Sequence, residues 1–346
     1  MSAAAYQEII SSKEADRRDL FLATANRLGT PVGNVEKDFW VCWTLDQLYH
    51  DRRSDQPRLL FKGGTSLSKA HGLIRRFSED IDVTIYRDDL GEAASVDELE
   101  ELSGKKRIAK LDAIRDACSS YITGPLKDEL TSQLDAATKG EGRVEIDGSD
   151  RDQQTLLVWY PSVEHSANGY VKPAVRIESG AKSALDPNAP ATIIPYIAEE
   201  IARLDLAVTG VTTINAERTF WDKIVIAHGL RRWYEHRGEL RNEGHRISRH
   251  YYDLHCMVST AVGQAAVADP ELGADCVRHA RMFFNRPDFD LASAKQGSFA
   301  LVPTDEMRNA LRRDYAATET MIFGVAPSFD EVIASIEHIA TTVNKQ

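Results

Sequence analysis

Residues 76–85, RFSEDIDVTI, alternate with a period of two: Ile81, Val83 and Ile85 share one face of an extended chain, Asp80, Asp82 and Thr84 the other. Upstream, residues 13–28 and 33–49 carry the longer period of amphipathic helices; in the second, Val35, Phe39, Trp43 and Leu48 recur at helical spacing. The apolar run RLLFK (58–62) predicts a short strand. It leads into GGTSLSKAHGLI, where paired glycines permit a tight turn and Thr65 or Ser66 is placed to cap a helix beginning near Leu67. Residues 88–154 are polar and helix-forming until the loop-like KGEGRVEIDGSDRD. QTLLVWYPSV and YVKPAVRIESG read as strands again. DPNAPATIIPYIAEE, with three prolines, reads as a surface crossing before a connection near residue 212, and from Asn215 onward the pattern is mostly helical.

The chain has 346 residues, 42% hydrophobic and 27% charged, the make-up of a globular protein with one large or two ordinary domains. It holds no apolar run of about 18 residues, and its first residues, MSAAAYQEIISSKEADRRD, lack an apolar signal core. A protein that stays in the cytoplasm, without membrane contact, is expected. Cys42, Cys118, Cys256 and Cys276 lie far apart with no C-x-x-C pair, which argues against a disulfide framework and fits a reducing compartment.

A net charge of -11 argues at first against a polyanionic partner. The charge is uneven, however. Residues 88–154 carry 17 acidic and 9 basic side chains, whereas residues 216–250 carry eight Lys/Arg against five Asp/Glu and four of the ten histidines. A nucleic-acid surface belongs in the second stretch, where Arg231, Arg232, Arg237, Arg241, Arg246 and Arg249 stand. The competing expectation is that these arginines pair with Glu235, Glu239 and Glu243 at the three- and four-residue spacing of a solvated helix.

Two carboxylates one pleat apart, Asp80 and Asp82, repel each other unless a cation lies between them. A hard divalent ion held by one or two carboxylates and substrate phosphates answers that need; a solvated edge strand is the bland alternative. In AVRIESG, Arg176 and Glu178 face away from Val175 and Ile177, so Glu178 completes an acidic cluster if this strand pairs beside the aspartates; a surface ion pair with Arg176 is the other outcome. KGGTS has the glycines for a phosphate-binding turn but not the G-x-x-x-x-G-K-[ST] spacing of a P-loop. In ERTFWDKIVIAHG, Phe220, Trp221, Ile224 and Val225 form one apolar arc, with Lys223 at its margin and Glu217 within it needing a partner. Asp253, amid Tyr251, Tyr252 and Leu254, reads as an acceptor for Arg or N–H groups or as a site residue. The histidines, His245 among them, lack H-E-x-x-H spacing.

Together FKGGTSLSKAHGLIRRFSEDIDVTI, VEKDFWVCWTL, KPAVRIESGA, ERTFWDKIVIAHG and RHYYDLHCM resemble the AbiEii/AbiGii family of nucleotidyltransferase toxins, which includes the MenT toxins and belongs to the polymerase-beta-like superfamily. The resemblance spans about residues 33–344 and is interrupted by the acidic 88–154 insert. It implies an α+β fold, with an N-terminal mixed-sheet core and flanking helices over 1–211, a C-terminal helical domain over 212–346, and a cleft between them.

The resemblance also implies a reaction. A nucleoside monophosphate passes from an NTP to an acceptor hydroxyl with release of pyrophosphate, in the presence of Mg2+ or Mn2+. The implied acceptor is the 3′ end of tRNA, so that translation stops, in a type IV toxin–antitoxin pair linked to phage defence with its antitoxin encoded nearby. Matched motif by motif, Gly63, Gly64, Thr65 and Ser66 contact nucleotide phosphates and Ser78 precedes the metal-binding pair Asp80 and Asp82. Lys223 is the lysine of the third motif and meets the leaving pyrophosphate, Asp253 is the aspartate of the fourth, and Glu178 stands where a third strand carboxylate often sits. Two alternatives remain: transfer to an antibiotic or protein hydroxyl, and an inactive fold that sequesters RNA or a partner.

Overall fold

A computed structural model describes residues 2–50, 52–164, 172–241 and 246–345. The chain divides into two compact units, one of residues 1–70, 77–94 and 103–213, the other of residues 71–76, 95–102 and 214–346. The fold is α+β, with a mixed sheet of seven strands in the first unit and helices in the second.

In the sheet unit, helices α1 (Ser2–Ile10), α2 (Glu14–Leu28) and α3 (Val32–Tyr49) precede strand β1 (Leu59–Lys62). Helix α3 is buried almost all round: Val35, Phe39, Trp43 and Leu48 are inside as their spacing predicts, and so are Glu36, Lys37 and Asp38. Three consecutive buried charges point in three directions about a helix, so each needs its own partner. Glu36 accepts the Val163 N–H at 2.8 Å, Lys37 pairs with Glu79 at 2.6 Å, and Asp38 pairs with Lys69 at 2.6 Å while accepting the Tyr196 N–H at 2.7 Å. One helix thereby ties down three distant segments.

The short helix α4 (Gly63–Lys69) follows β1, then β2 (Asp80–Ile85). The expected helix start near Leu67 is corrected: the helix begins at Gly63, so Thr65 and Ser66 lie inside it rather than capping it. Further along come α6 (Gly104–Tyr121), α7 (Lys127–Thr138), β3 (Arg143–Ile146), β4 (Thr155–Trp159), β5 (Ala174–Gly180), β6 (Asn188–Ile193) and β7 (Val208–Ile214). β3 lies in the stretch expected to be a loop, β6 in the proline-bearing stretch expected to cross the surface, and β7 runs through position 212. Of the segment YVKPAVRIESG, Tyr170 and Val171 lie outside the described residues.

The sheet order is β3-β4-β5-β2-β1-β7-β6. β2 is thus central, antiparallel to β1 and parallel to β5, and Ile81, Val83 and Ile85 are fully buried on one face. The register sets Asp82 opposite Lys62 on one side and Glu178 on the other, and Asp80 opposite Arg176.

The helical unit centres on α8 (Ala216–Arg237), which packs against α9 (Arg249–Val258), α10 (Ala261–Val267) and α11 (Pro270–Phe283). α5 (Val96–Glu101) joins α11, and α12 (Asp305–Glu319) precedes α13 (Phe329–Lys345), which packs on α9. Gly273 of α11 leaves room for the Trp221 indole: a Cβ there would stand 2.8 Å from the ring. The indole N–H donates to the Ala266 carbonyl at 2.7 Å. Among the described residues no helix is long and apolar enough to cross a membrane, and all four cysteines are free.

Candidate active site

The sheet unit gathers eight of the ten residues singled out from the sequence. Strand alternation directs Asp80 and Asp82 to the same face, away from the buried isoleucines and valine. Because β5 runs parallel to β2 in this register, Glu178 falls on that face beside Asp82. Three carboxylates therefore line one patch. Their mutual effect is visible at Asp80, whose pKa is pushed up to about 7, first by burial and then by Glu178, Glu79 and Asp82, with Lys37 opposing.

The glycine turn closes against this patch. Gly63 has φ +78°, a conformation open to glycine, and a Cβ built on it would stand 1.9 Å from Asp82 Oδ2. The backbone of the turn thus lies against the carboxylate. Thr65 Oγ1 donates to Ser78 Oγ at 2.9 Å and also contacts the Asp80 carbonyl, stitching α4 to the start of β2. Ser66 Oγ donates back to the Gly63 carbonyl at 2.9 Å, holding the turn in shape. Gly64 is the second residue of the same helix.

The remaining two, Lys223 and Asp253, meet in the helical unit. Lys223 Nζ lies 2.7 Å from Asp253 Oδ2, and Arg76 makes a two-pronged contact with the same carboxylate, Nε to Oδ1 at 2.8 Å and Nη2 to Oδ2 at 2.9 Å. Asp253 is 0% and Lys223 6% exposed, so the expectation of a lysine on the margin of its helix is corrected. The reason is electrostatic: a carboxylate without water needs counterions, and α8 and α9 lie close enough to bury the lysine with it. Burial raises the Asp253 pKa, but Arg76 and then Lys223 outweigh it and hold the carboxyl well below its usual range. Burial also lowers the Lys223 pKa, with Asp253 opposing and Arg76 adding to the fall. His250, half-buried near Lys223 and Arg249, is pushed well below its ordinary pKa, first by removal from water and then by those two cations. Glu217 is only half-buried; the buried charge of that turn is Arg218, paired with Asp222 and Asp275.

Sequence reasoning missed three contributors. Lys37 and Glu79 form an ion pair one residue before Asp80, and Lys62 stands opposite Asp82 on β1. The stretch VEKD carried the signal, since three successive charges beside apolar helical positions are too many to be solvated together.

The donor set fits a divalent cation. Asp80 and Asp82 offer hard oxygen ligands; of the cations near them, Lys37 pairs with Glu79 and Arg176 with Asp147 and Glu178 rather than with either aspartate. Among the described residues no three His, Cys, Asp or Glu side chains already stand in ligating geometry. Two aspartates plus substrate oxygens is thus the arrangement these residues offer.

The profile of the family described as "Nucleotidyl transferase AbiEii toxin, Type IV TA system" matches residues 46–335. The chain belongs to the AbiEii family of nucleotidyltransferase toxins. It is accordingly a nucleotidyltransferase of a type IV toxin–antitoxin family, for which an NTP is the substrate and a cognate antitoxin the implied counterpart. Among solved structures the chain is similar to MenT4, a nucleotidyltransferase toxin from Mycobacterium tuberculosis H37Rv. The two are 15% identical with a TM-score of 0.42, over 93% of this chain and 97% of that one. No curated protein matches the chain.

Proposed function

We propose that this AbiEii toxin transfers a nucleoside monophosphate from an NTP to the 3′ end of tRNA in the cytoplasm, with Mg2+ held by Asp80 and Asp82, and so blocks translation until its antitoxin intervenes. The observation that supports the metal reading is the row of carboxylates on β2 and β5, where burial first and the neighbouring carboxylates next disfavour the ionised form of Asp80 unless a cation joins it. The ion, when bound, supplies charge neutralisation to the triphosphate.

The chain's own residues divide the remaining work. Gly63, Gly64, Thr65 and Ser66 seat the terminal phosphates on the turn, with Ser78 fixed beside them through Thr65. Glu178, released from Arg176, takes the proton of the attacking hydroxyl. Lys223 meets the charge that grows on the leaving pyrophosphate, and Asp253 with Arg76 holds its ammonium in one place. The lysine keeps N–H donors beyond the one directed at Asp253.

The test is incubation of purified protein with total RNA and each α-labelled NTP, with and without Mg2+. Label in the tRNA band, dependent on the metal and absent with Asp80→Ala, is expected. Label appearing in protein or in small molecules, with none in RNA, overturns the acceptor.

A further inference from the structure

The sequence pointed to arginines 231–249 as the place where RNA phosphates meet positive charge, but the structure spends the first two internally. Arg231 pairs with Glu235 at 2.7 Å and donates to the Val302 carbonyl at 2.8 Å; Arg232 pairs with Glu235 at 2.9 Å. Glu239 forms no such pair among the described residues, and Glu243 and His245 lie outside them.

A different group stands at the end of α8. Trp233 and Phe289 pack with ring centroids 6.1 Å apart. The Arg241 guanidinium lies 4.9 Å from the Phe289 centroid and 5.9 Å from that of Trp233, and Arg237 lies 5.4 Å from Trp233. Arg237 is matched by Asp288 at 2.6 Å. Arg241 and its neighbour Arg286 make no ion pair among the described residues, although Arg286 is exposed and Arg241 is half-buried. Burial and the Arg286 charge both press the Arg241 pKa down. Two like charges side by side, neither in an ion pair among the described residues, favour an external anion, and a guanidinium already laid on aromatic rings is held for one at little further entropic cost.

We infer that Trp233, Phe289, Arg241 and Arg286 form a stacking and phosphate-binding platform for the RNA acceptor, Arg286 and Arg241 meeting phosphates and the arginine–aromatic stack receiving an unpaired base. The inference rests on the reading of tRNA as acceptor. Unpaired RNA bases stack on aromatic side chains and on guanidinium planes, and every base has a face to offer, so this chemistry recognises single-stranded RNA beside a charged backbone. An acidic peptide would satisfy the charges but leave the flat faces unused.

The experiment measures binding of bulk tRNA by fluorescence anisotropy over a salt series, with wild type, Arg241→Ala/Arg286→Ala and Arg241→Lys/Arg286→Lys. The alanine pair is expected to bind about tenfold more weakly and to flatten the slope of log K against log salt by about 1.5, the loss of two phosphate contacts. The lysine pair keeps charge but not the planar stack, so it should retain the wild-type slope while losing affinity. Thermal unfolding of both variants checks that they fold. If wild type labels tRNA yet the alanine pair binds it with unchanged affinity and slope, the platform is overturned and the acceptor reading stands. If wild type neither binds nor labels RNA, both fall. Competition by polyglutamate as strong as that by RNA of equal charge would also overturn the platform, since the surface would then read charge alone.

Discussion

Gly63 and Asp82 are in backbone-to-carboxylate contact: the glycine adopts φ +78°, and a methyl group in place of its hydrogen would stand 1.9 Å from Oδ2. The turn and the strand therefore fix each other. Gly63→Ala is expected to cost about 1–3 kcal/mol from the backbone conformation and the displaced side chain, and to weaken nucleotide binding more than its loss of stability explains. Thermal unfolding and NTP titration in the presence of Mg2+ check it. A variant with wild-type nucleotide affinity would remove the turn from the site.

Asp80→Asn is expected to lower transfer by more than about a hundredfold, several kcal/mol of charge stabilisation being lost. Its effect on the metal-free protein has the opposite sign. The folded-state pKa of Asp80 is raised to about 7, so the carboxyl contributes stability that is fully present below its unfolded pKa near 4 and is lost as pH rises through about 7. Asparagine should therefore match wild type at pH 4 and exceed it by about 1–2 kcal/mol at pH 8, solvent screening reducing the full linkage value. Denaturant unfolding in EDTA at the two pH values reads this, and excess Mg2+ should narrow the gap at pH 8.

Why Asp80, Asp82 and Glu178 were legible and Lys223 was misplaced has a physical basis. A strand has a period of two, so a short stretch states which side chains share a face, and one further strand pairing brought Glu178 alongside. A helical position is different: whether Lys223 lies at the rim or inside depends on what packs there. Its partner Asp253 lies thirty positions downstream and the second counterion, Arg76, far upstream. The aromatic setting of Asp253 did announce a carboxylate in need of an arginine. β6 was hidden by Pro190 within it and by Pro187 and Pro195 on either side; sheets tolerate a proline at an edge, and β6 is an edge strand. Arg231 and Arg232 looked available because sequence displays charges without their partners.

Asp253→Asn removes one charge that two cations share in a site closed to water. Breaking such a set from the shared side leaves Arg76 and Lys223 uncompensated, and a loss of about 3–5 kcal/mol is expected. Lys223→Met leaves Arg76 on the carboxylate and should cost less. The Asp253 carboxyl is held below its ordinary pKa, so its stabilisation is present above the unfolded value near 4 and is lost as pH falls below it. Wild type should therefore lose stability in acid more steeply than Asp253→Asn, which urea unfolding between pH 3 and pH 6 would show. Parallel pH profiles would count against the buried ion set.

Arg231→Gln/Arg232→Gln separates internal pairing from RNA contact. Both side chains share Glu235, and Arg231 also holds the Val302 carbonyl while only 15% exposed. Their removal leaves Glu235 without its two cations and the Val302 carbonyl without its donor. A stability loss of about 1–2 kcal/mol follows from hydrogen bonds to a charged group and a part-buried ion pair. Affinity for tRNA at low salt should stay within about twofold of wild type and the salt slope within a few tenths, because no phosphate contact is lost. The contrast with Arg241 and Arg286 is the decisive feature, since all four arginines belong to the helical unit. Measured side by side, the first pair should move the unfolding midpoint and not the RNA isotherm. A large affinity loss with unchanged stability would mean that Glu235 gives up its arginines to RNA, and that charge density rather than the stack governs recognition.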